Sequence, residues 1–385
     1  MFYSFQNENQ RKQYIKLLQV TGSLSNLFAE SKNPFIYYRA MENIFCKAFS
    51  AKNYSRSDIS VDAGKNNTGI GLKTFLQNNG HTFQKIAEFN KESYLLNDLK
   101  TEEKIFKVAQ MRNERILTTK RICKLDDTIY HLLTRSKGYM GIYEEPMDLI
   151  DIDKIKNIKV NKTISFDDGK NEYNFNTSKS TLFKRFYTTE EKLIYGFKVK
   201  ILEDPFEFLL KLDIESERKK QVNAIFKSDD IIDYIVLPLY SAKLDEVPEK
   251  SGLNHWNAAG RPRDANEVYI PIPSWIHRDK PSFFNYNTDD FKTGPFNVTL
   301  PSGEILSMKV AQQGGKGLMS NPNKALGKWI LRDILNLKEG VIVTKTILDI
   351  IGIDSIMLSK HEDNSYSLDF LKSGSYEDFE ENYKQ

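Results

Sequence analysis

The spacing of apolar residues changes near residue 230, and this change limits the possible folds more than any other feature of the sequence. Before it, residues 6–52 and 99–122 have the spacing of helices, and residues 128–186 alternate like strands and hairpins. After it, short apolar segments recur about every 10 residues between Gly and Pro, which is typical of a barrel or a sandwich. We therefore predict two domains, an α+β or α/β domain at residues 1–230 and a mainly-β domain at residues 231–385.

The composition is that of a globular chain, and it excludes several classes of protein. The 385 residues, of which 40% are hydrophobic and 28% charged, suffice for two ordinary domains. No apolar run approaches the ~20 residues of a membrane helix, and the first residues lack the pattern of a signal peptide, so we expect a cytoplasmic protein. Two cysteines are too few for a thiolate zinc site. The acidic residues 376–385 are expected to be frayed.

A predicted hairpin in the first domain carries the most chemically informative residues. Asp62 ends an alternating segment, a turn rich in Gly and Asn follows, and Lys73 lies eleven residues later in an apolar strand. A hairpin of this length brings both side chains to one end of a sheet. The Asp62 carboxylate can bind Mg²⁺, and the Lys73 ammonium can orient a water molecule and offset developing negative charge. The pair therefore predicts metal-dependent hydrolysis of phosphodiesters.

Two glycines, Gly69 and Gly71, precede Lys73 in the same strand. A charge inside an apolar strand costs free energy unless it has a function, and glycines allow a phosphate and a metal ion to approach the backbone closely. The segment resembles the PD-(D/E)XK nuclease superfamily, in which Asp62 corresponds to the metal-binding aspartate and Lys73 to the motif lysine. The second acid of that motif falls at position 71, which is a glycine in this chain.

Two glutamates are candidates for the missing acid. Glu42 lies on a predicted helix twenty residues before Asp62, and in many members of the superfamily a glutamate from the preceding helix completes the metal site. Glu88, on a later predicted strand, is the alternative. We favour Glu42, because the apolar face of its helix would pack under the hairpin and leave Glu42 on the polar side. The resemblance thus implies a Mg²⁺ site formed by Asp62 and Glu42, with Lys73 as the third catalytic residue.

Other nuclease and nucleotide chemistries lack the residues they need. A site of the phospholipase D type requires a Lys at the second position after a His, and none of the five histidines is followed by one. The sequence also has no phosphate-binding loop of the G-x-x-x-x-G-K-[ST] type, so we expect no ATP-dependent step.

Two polar segments of the second domain predict contacts with DNA. Both are loops bounded by Gly or Pro, and both are rich in side chains that read base edges or bind phosphates. Arginine in particular can form paired hydrogen bonds with guanine or with phosphate. The candidates are Asn254, His255, Arg261, Arg263 and Asn266 in the first loop, and Gln312, Lys316, Asn321 and Asn323 in the second.

The order of these segments resembles the C-terminal recognition domain of the NgoFVII-type restriction endonucleases. The run Tyr-Ile-Pro-Ile-Pro ends the first segment at residues 269–273, and Ala-Leu-Gly-Lys-Trp follows the second at residues 325–329. The resemblance covers about residues 234–365. It implies a pseudobarrel, shared with the B-three fold of plant transcription factors, that grips the major groove with two arms. In this family the attached nuclease is often of the phospholipase D type, whose motif this chain lacks.

Together the two halves predict a type II restriction endonuclease that binds a specific double-stranded DNA sequence and hydrolyses it with Mg²⁺. Cutting both strands needs two active sites or two events, so a homodimer or a sequentially acting monomer is expected, with a DNA methyltransferase as functional partner. Two alternatives stay open at this point. One is a DNA-binding regulator whose first domain only dimerises, since Gly71 replaces an acid, and the other is a nuclease of RNA or branched DNA.

Overall fold

The computed structural model describes residues 1–54, 59–211, 231–287 and 290–384. They divide into two compact units, the first formed mostly by residues up to 211 and the second mostly by residues from 231. The domain boundary predicted near residue 230 lies in residues 212–230, outside the described residues. Helices accompany mixed sheets, so the predicted combination of α and β structure is confirmed. None of the described helices is both long and apolar enough to cross a membrane.

Two sheets form the framework of the first unit. Its α-helices are α1 (Phe2–Phe5), α2 (Glu8–Ser23), α3 (Tyr38–Phe49), α4 (Thr101–Cys123) and α5 (Pro205–Leu210). Its strands are β1 (Lys52–Asn53), β2 (Ala63–Lys65), β3 (Thr68–Leu76), β4 (His81–Glu88), β5 (Asp127–Ser136), β6 (Tyr139–Pro146), β7 (Lys156–Val160), β8 (Ile164–Asp167), β9 (Glu172–Asn176), β10 (Thr181–Tyr187) and β11 (Tyr195–Lys198). One sheet has the order β1-β2-β3-β5-β6-β11, and the other has the order β4-β10-β9-β8-β7.

Packing against the six-stranded sheet explains why residues 38–49 are helical. The buried apolar residues of α3 recur at helical spacing, and they are Met41, Ile44, Phe45, Ala48 and Phe49. They share one apolar core with Ile70 and Leu72 of β3, which α3 contacts. Burying a side chain of this kind contributes about 1.5–3 kcal/mol. The helix that carries Glu42 is therefore held against the strand that carries Lys73.

The connection from β3 to β5 passes through α4, whose residues up to Ile116 belong to this unit. Because β3 and β5 are parallel neighbours, the chain must cross over between them. Their register pairs Gly71 with Tyr130 and Lys73 with Leu132. Alternation puts Gly71 and Lys73 on the face opposite to Ile70 and Leu72, so α3 and α4 lie on opposite faces of the sheet.

A single seven-stranded sheet dominates the second unit. Its strands are β12 (Ile231–Pro238), β13 (Ile270–Pro271), β14 (Phe296–Thr299), β15 (Ile305–Ala311), β16 (Gly317–Ser320), β17 (Ile353–His361) and β18 (Tyr366–Lys372), in the order β12-β17-β18-β14-β15-β16-β13. Its α-helices are α6 (Ser274–Asp279), α7 (Ala325–Gly327), α8 (Lys345–Ile351) and α9 (Ser375–Lys384). The outermost strands β12 and β13 contact each other, so the sheet nearly closes into the predicted barrel-like fold.

The C-terminal residues form helix α9, so the prediction of a frayed tail was wrong. Tyr376 is buried, and its hydroxyl accepts a hydrogen bond from the Trp275 indole at 3.1 Å. The hydroxyl of Tyr240 donates to Glu377 on the same helix. The acidic residues of this segment therefore belong to a helix that the buried side chain of Tyr376 anchors to the rest of the unit.

A buried polar network links the N-terminal helices to the six-stranded sheet. The Tyr14 hydroxyl lies 3.0 Å from His131 Nε2, and His131 Nδ1 lies 2.9 Å from the Glu144 carboxylate. The same carboxylate oxygen accepts a hydrogen bond from the backbone N–H of Tyr3 at 2.9 Å. Because the carboxylate can only accept, Nδ1 donates to it and Nε2 accepts from Tyr14.

Replacing Tyr14 by Phe tests this network. Tyr14→Phe leaves His131 Nε2 without a donor in the core, which costs about 1–3 kcal/mol and lowers Tm by about 2–10 °C in thermal unfolding. Tyr195→Phe is the matched control, because Tyr195 is exposed. Equal Tm values for the two variants would contradict a stabilising role of the network.

Candidate functional site

Asp62 lies immediately before β2 and opposite Gly71 of β3, since Ala63 pairs with Ile70. Its carboxylate Oδ2 accepts a hydrogen bond from the backbone N–H of Leu72 at 2.6 Å. Burial raises the pKa of Asp62, while the charge of Lys73 and the hydrogen bond from Leu72 lower it. The side chain is thus held against β3, and in its ionised form it lies in a costly environment.

Glu42 reaches this region from α3. Only 6% of Glu42 is exposed, and its Oε2 accepts a hydrogen bond from Arg39 Nη1 at 3.0 Å. Burial raises the pKa of Glu42, and the neighbouring Asp62 carboxylate raises it further, while Arg39 and Lys73 oppose the shift. Asp62 is therefore close enough to Glu42 for its carboxylate to disfavour the ionisation of Glu42.

Lys73 completes the group on β3. Within the described residues its ammonium forms no ion pair, and burial lowers its pKa. The Asp62 carboxylate opposes this shift, whereas the nearby guanidinium of Arg112 adds to it. The structure thus places Glu42, Asp62 and Lys73 near enough for their charges to act on one another, and their catalytic role stays a prediction.

The glycines of β3 make room for protein side chains, and our expectation that they open the backbone to a phosphate and a metal ion was wrong. A Cβ at Gly71 would lie 2.6 Å from Met147 Cε and 3.2 Å from the ring of Tyr130. A Cβ at Gly69 would lie 2.6 Å from Leu125 Cδ1. An acid at position 71, where the PD-(D/E)XK motif places one, would therefore require Met147 and Tyr130 to move.

The alternative acid, Glu88, lies away from this group. It is exposed on β4, in the five-stranded sheet, and its carboxylate pairs with Lys85 at 2.8 Å. Within the described residues, no three His, Cys, Asp or Glu side chains are grouped so that they could hold a metal ion. The candidate metal ligands are therefore the two carboxylates of Glu42 and Asp62.

In the second unit, Asn254 is part of the core, which corrects its prediction as a base-reading residue. It is fully buried, and its Nδ2 donates to the carbonyls of Pro248 at 3.1 Å and Val343 at 2.9 Å. Its Oδ1 accepts from the Val343 N–H at 2.8 Å. An amide whose groups are used in this way braces two loops and has no group left for DNA.

The buried carboxylate of Glu267 organises the basic side chains of the first loop. Arg261 forms two hydrogen bonds to it and still has 54% of its side chain exposed. Arg263 donates instead to the carbonyls of Ala258 at 2.5 Å and Ala259 at 3.0 Å, and only 12% of its side chain is exposed. The loop therefore presents Arg261 outward, while Arg263 holds the backbone, which corrects its prediction as a DNA contact.

His255 and Asn266 also have internal partners. The ring of His255 lies edge-on to Tyr269 at 5.1 Å, and burial lowers its pKa. Asn266 Oδ1 accepts from Arg332 Nε at 2.8 Å, and its Nδ2 donates to Asp264 at 3.2 Å. Asn266 therefore stabilises the loop, and its contact with adenine stays a prediction.

The second loop differs, because its polar side chains stay available. Lys316 and Asn321 are exposed, and Gln312 and Asn323 are partly exposed. In the described part of the chain none of these four side chains has a hydrogen-bond or ion-pair partner. This loop keeps the side chains that its sequence predicted for contacts with bases and phosphates.

The sequence predictions did not include the basic surface around this loop. The sequence does contain a signal for it, which is a segment with basic residues and no acidic ones. Residues 231–385 contain 17 basic and 21 acidic residues, yet residues 305–332 contain five basic residues and no acidic one. Four of the five, Lys309, Lys316, Lys324 and Lys328, have no carboxylate partner within the described residues. These four residues, which we call the lysine surface, lie on β15 (Lys309), directly before β16 (Lys316) and on either side of α7 (Lys324 and Lys328).

The lysine surface lies within a segment of the chain that is similar to a known protein family. Residues 234–362 match the family model described as the NgoFVII C-terminal B3-like DNA-binding domain. No curated protein matches the chain. The match covers about a third of the sequence and supports DNA as a partner of the second unit, whose barrel-like sheet agrees with it.

The pH dependence of stability tests the placement of Asp62. Because the folded-state pKa is raised, stability is lost as pH rises from the ordinary carboxylate range of about 4 through the raised value. Asp62→Asn removes the charge and keeps an oxygen for the Leu72 N–H, so without divalent ions its Tm exceeds that of the wild type at about pH 8 and approaches it near pH 4. Asp98→Asn, at an exposed position, changes neither value. An Asp62→Asn protein that is less stable at high pH would contradict the assignment.

Removing charge from the lysine surface tests its contact with DNA phosphates. The double variant Lys316→Ala/Lys328→Ala lowers affinity for duplex DNA by about tenfold or more and reduces the salt dependence of log K by about 2. Lys243→Ala, an exposed lysine beside Asp245 and Glu246, is the control and leaves both quantities unchanged. Fluorescence anisotropy over a series of salt concentrations measures both, and an unchanged salt slope would refute the contact.

Proposed function

We propose that the chain is a sequence-specific endonuclease of double-stranded DNA, of the type II restriction class, that hydrolyses phosphodiesters with Mg²⁺. The observation that carries the proposal is the convergence of Glu42, Asp62 and Lys73, whose charges alter one another's pKa values. The similarity of residues 234–362 to a DNA-binding domain named after a restriction enzyme supplies the substrate class. In this proposal the first unit cuts and the second unit selects the sequence.

The two carboxylates suit Mg²⁺. One oxygen of Asp62 is held by Leu72 and one oxygen of Glu42 by Arg39, while the described residues offer no hydrogen bond to the other oxygen of either. Protein-bound Mg²⁺ takes one or two carboxylates and completes its coordination with water and substrate phosphate. A divalent cation would also offset the burial that raises the pKa values of both acids and the repulsion from Asp62 that raises that of Glu42 further.

The residues of the site have separate tasks in hydrolysis. Mg²⁺, when bound, supplies Lewis-acid activation of phosphate and water. Lys73 holds the attacking water in line and offsets the negative charge that grows on the phosphate. The water oxygen bonds to phosphorus, the phosphorus–oxygen ester bond breaks, and the water's protons pass to the leaving oxygen and to solvent. Arg39 keeps Glu42 oriented through their hydrogen bond.

A DNA-binding regulator is the second candidate, and a specific observation favours it. Position 71 is a glycine in place of the motif acid, and the described residues contain no group of three potential metal ligands. In that case the first unit would serve only to join two copies of the chain. A homodimer, a partner DNA methyltransferase and a cytoplasmic location belong to the restriction proposal and are proposed with it.

Cleavage of mixed-sequence duplex DNA tests the nuclease proposal directly. We expect discrete fragments with Mg²⁺ and none with EDTA. The variants Asp62→Asn, Glu42→Gln and Lys73→Met should cut DNA at rates at least about 10²-fold lower than the wild type. These variants keep the size of each side chain, and Asp98→Asn serves as the control for a charge change on the same unit.

The possible outcomes separate the candidates. DNA binding without cutting would overturn the nuclease and leave the regulator. Full activity of Glu42→Gln together with loss in Glu88→Gln would replace Glu42 by the alternative acid. Cutting of RNA or branched DNA in preference to the duplex would overturn the restriction class.

A further inference from the structure

A buried arginine beside the candidate catalytic group has no anionic partner. Arg112, on α4, is 3% exposed. Its Nη2 donates to the Tyr130 hydroxyl at 2.7 Å, but its Nε and Nη1 are buried and have no hydrogen-bond partner within the described residues. A guanidinium carries five N–H donors in a planar fork, so much of its hydrogen-bonding capacity is unused. Such a group costs free energy unless an anion completes it.

The position of Arg112 follows from the glycine that replaced the motif acid. Tyr130 is the register partner of Gly71, and its ring lies where a side chain at position 71 would extend. The tyrosine hydroxyl in turn holds Arg112. Lys73 lies two residues further along the same face of β3, and Asp62 lies opposite Gly71. The guanidinium therefore stands on the side of the sheet where Lys73 and Asp62 meet.

The neighbouring acids do not neutralise Arg112. Glu145, whose charge acts on Tyr130, forms its ion pair with Lys184. Glu42 is paired with Arg39, and the buried Asp168, whose charge acts with that of Arg112 on Tyr173, accepts hydrogen bonds from Tyr173 and from backbone N–H groups of its own turn. Lys73 and Arg112 then face the Asp62 carboxylate in a poorly hydrated place, and this arrangement fits an incoming anion.

We propose that Arg112 binds the phosphate group on which the candidate catalytic residues act, with its free Nε and Nη1 directed at two phosphate oxygens. The planar fork of arginine matches a phosphate in this two-point manner, which an ammonium cannot reproduce. Lys73 then orients the attacking water, and Arg112 binds the phosphate. The negative charge that develops on the equatorial phosphate oxygens is stabilised by the preorganised N–H donors of Arg112. The proposal rests on the proposed nuclease function, and it assigns the substrate-binding cation of that site.

Inorganic phosphate is the probe that tests the site without DNA cleavage. We expect about 10 mM phosphate to raise the Tm of the wild-type protein by about 2–5 °C over chloride of equal ionic strength. Arg112→Met, which removes an unpaired buried charge, keeps or raises the Tm without phosphate and abolishes the phosphate-induced rise. Arg112→Lys keeps a positive charge but lacks the planar guanidinium, and it also loses most of the phosphate-induced rise in Tm.

Arg115→Gln is the matched control from the same helix. Arg115 is largely buried and forms an ion pair with Glu92 at 3.0 Å, so its replacement lowers the Tm but leaves the phosphate-induced rise intact. In single-turnover cleavage, Arg112→Met lowers the rate constant by about 10²–10³-fold. In steady-state cleavage its KM for DNA stays within about twofold of the wild-type value, since in this proposal the second unit binds the DNA. Arg115→Gln cleaves at the wild-type rate per folded molecule.

The two proposals can fail separately. A wild-type protein that does not cut DNA but shows an Arg112-dependent response to phosphate would overturn the nuclease and support the anion site. A protein that cuts DNA at the wild-type rate with Arg112→Met, and whose Tm still rises with phosphate, would overturn the anion site and leave the nuclease standing.

Discussion

The parallel pairing of β3 with β5 is the constraint on which the first unit depends. Nine residues of β3 pair with nine of β5, and a parallel neighbour can be reached only by a crossover, which α4 provides. The apolar residues of α3 cover the other face of the same sheet. As a result, the strands that carry Asp62 and Lys73 lie between a helix that bears Glu42 and a helix that bears Arg112.

This arrangement concentrates charge where it is least favourable. Burial raises the pKa values of Glu42 and Asp62 and lowers that of Lys73, so the fold disfavours the charged form of each group. Backbone and side-chain hydrogen bonds, such as Leu72 N–H to Asp62, hold the groups in position. Local destabilisation of this kind is common at functional sites, where the charges are completed by a ligand. The proposed ligands, Mg²⁺ and a phosphate, carry the charges that the site lacks.

The second unit illustrates how residue type alone misassigns polar side chains. Asn254 and Arg263 have the chemistry of base readers, yet each donates hydrogen bonds to backbone carbonyls of the protein itself. A long loop across a barrel contains many backbone groups that need partners, and buried polar side chains supply them. Residues 305–332 contain no acidic residue, and the four residues of the lysine surface have no carboxylate partner within the described residues. A run without acids was therefore a better guide to basic side chains without an acidic partner than the presence of arginine.

The amino-acid sequence by itself determined the mixed class of the chain, the barrel-like second unit, most of the strand positions and the grouping of Glu42, Asp62 and Lys73, because apolar spacing and turn residues act locally. The tertiary structure alone decided that Tyr376 anchors a C-terminal helix, that Gly71 accommodates Tyr130, and that Arg112 is buried without an anion. These outcomes depend on which distant side chains come into contact. Local spacing does not encode them, since a partner such as Trp275 lies about 100 residues from Tyr376 along the chain.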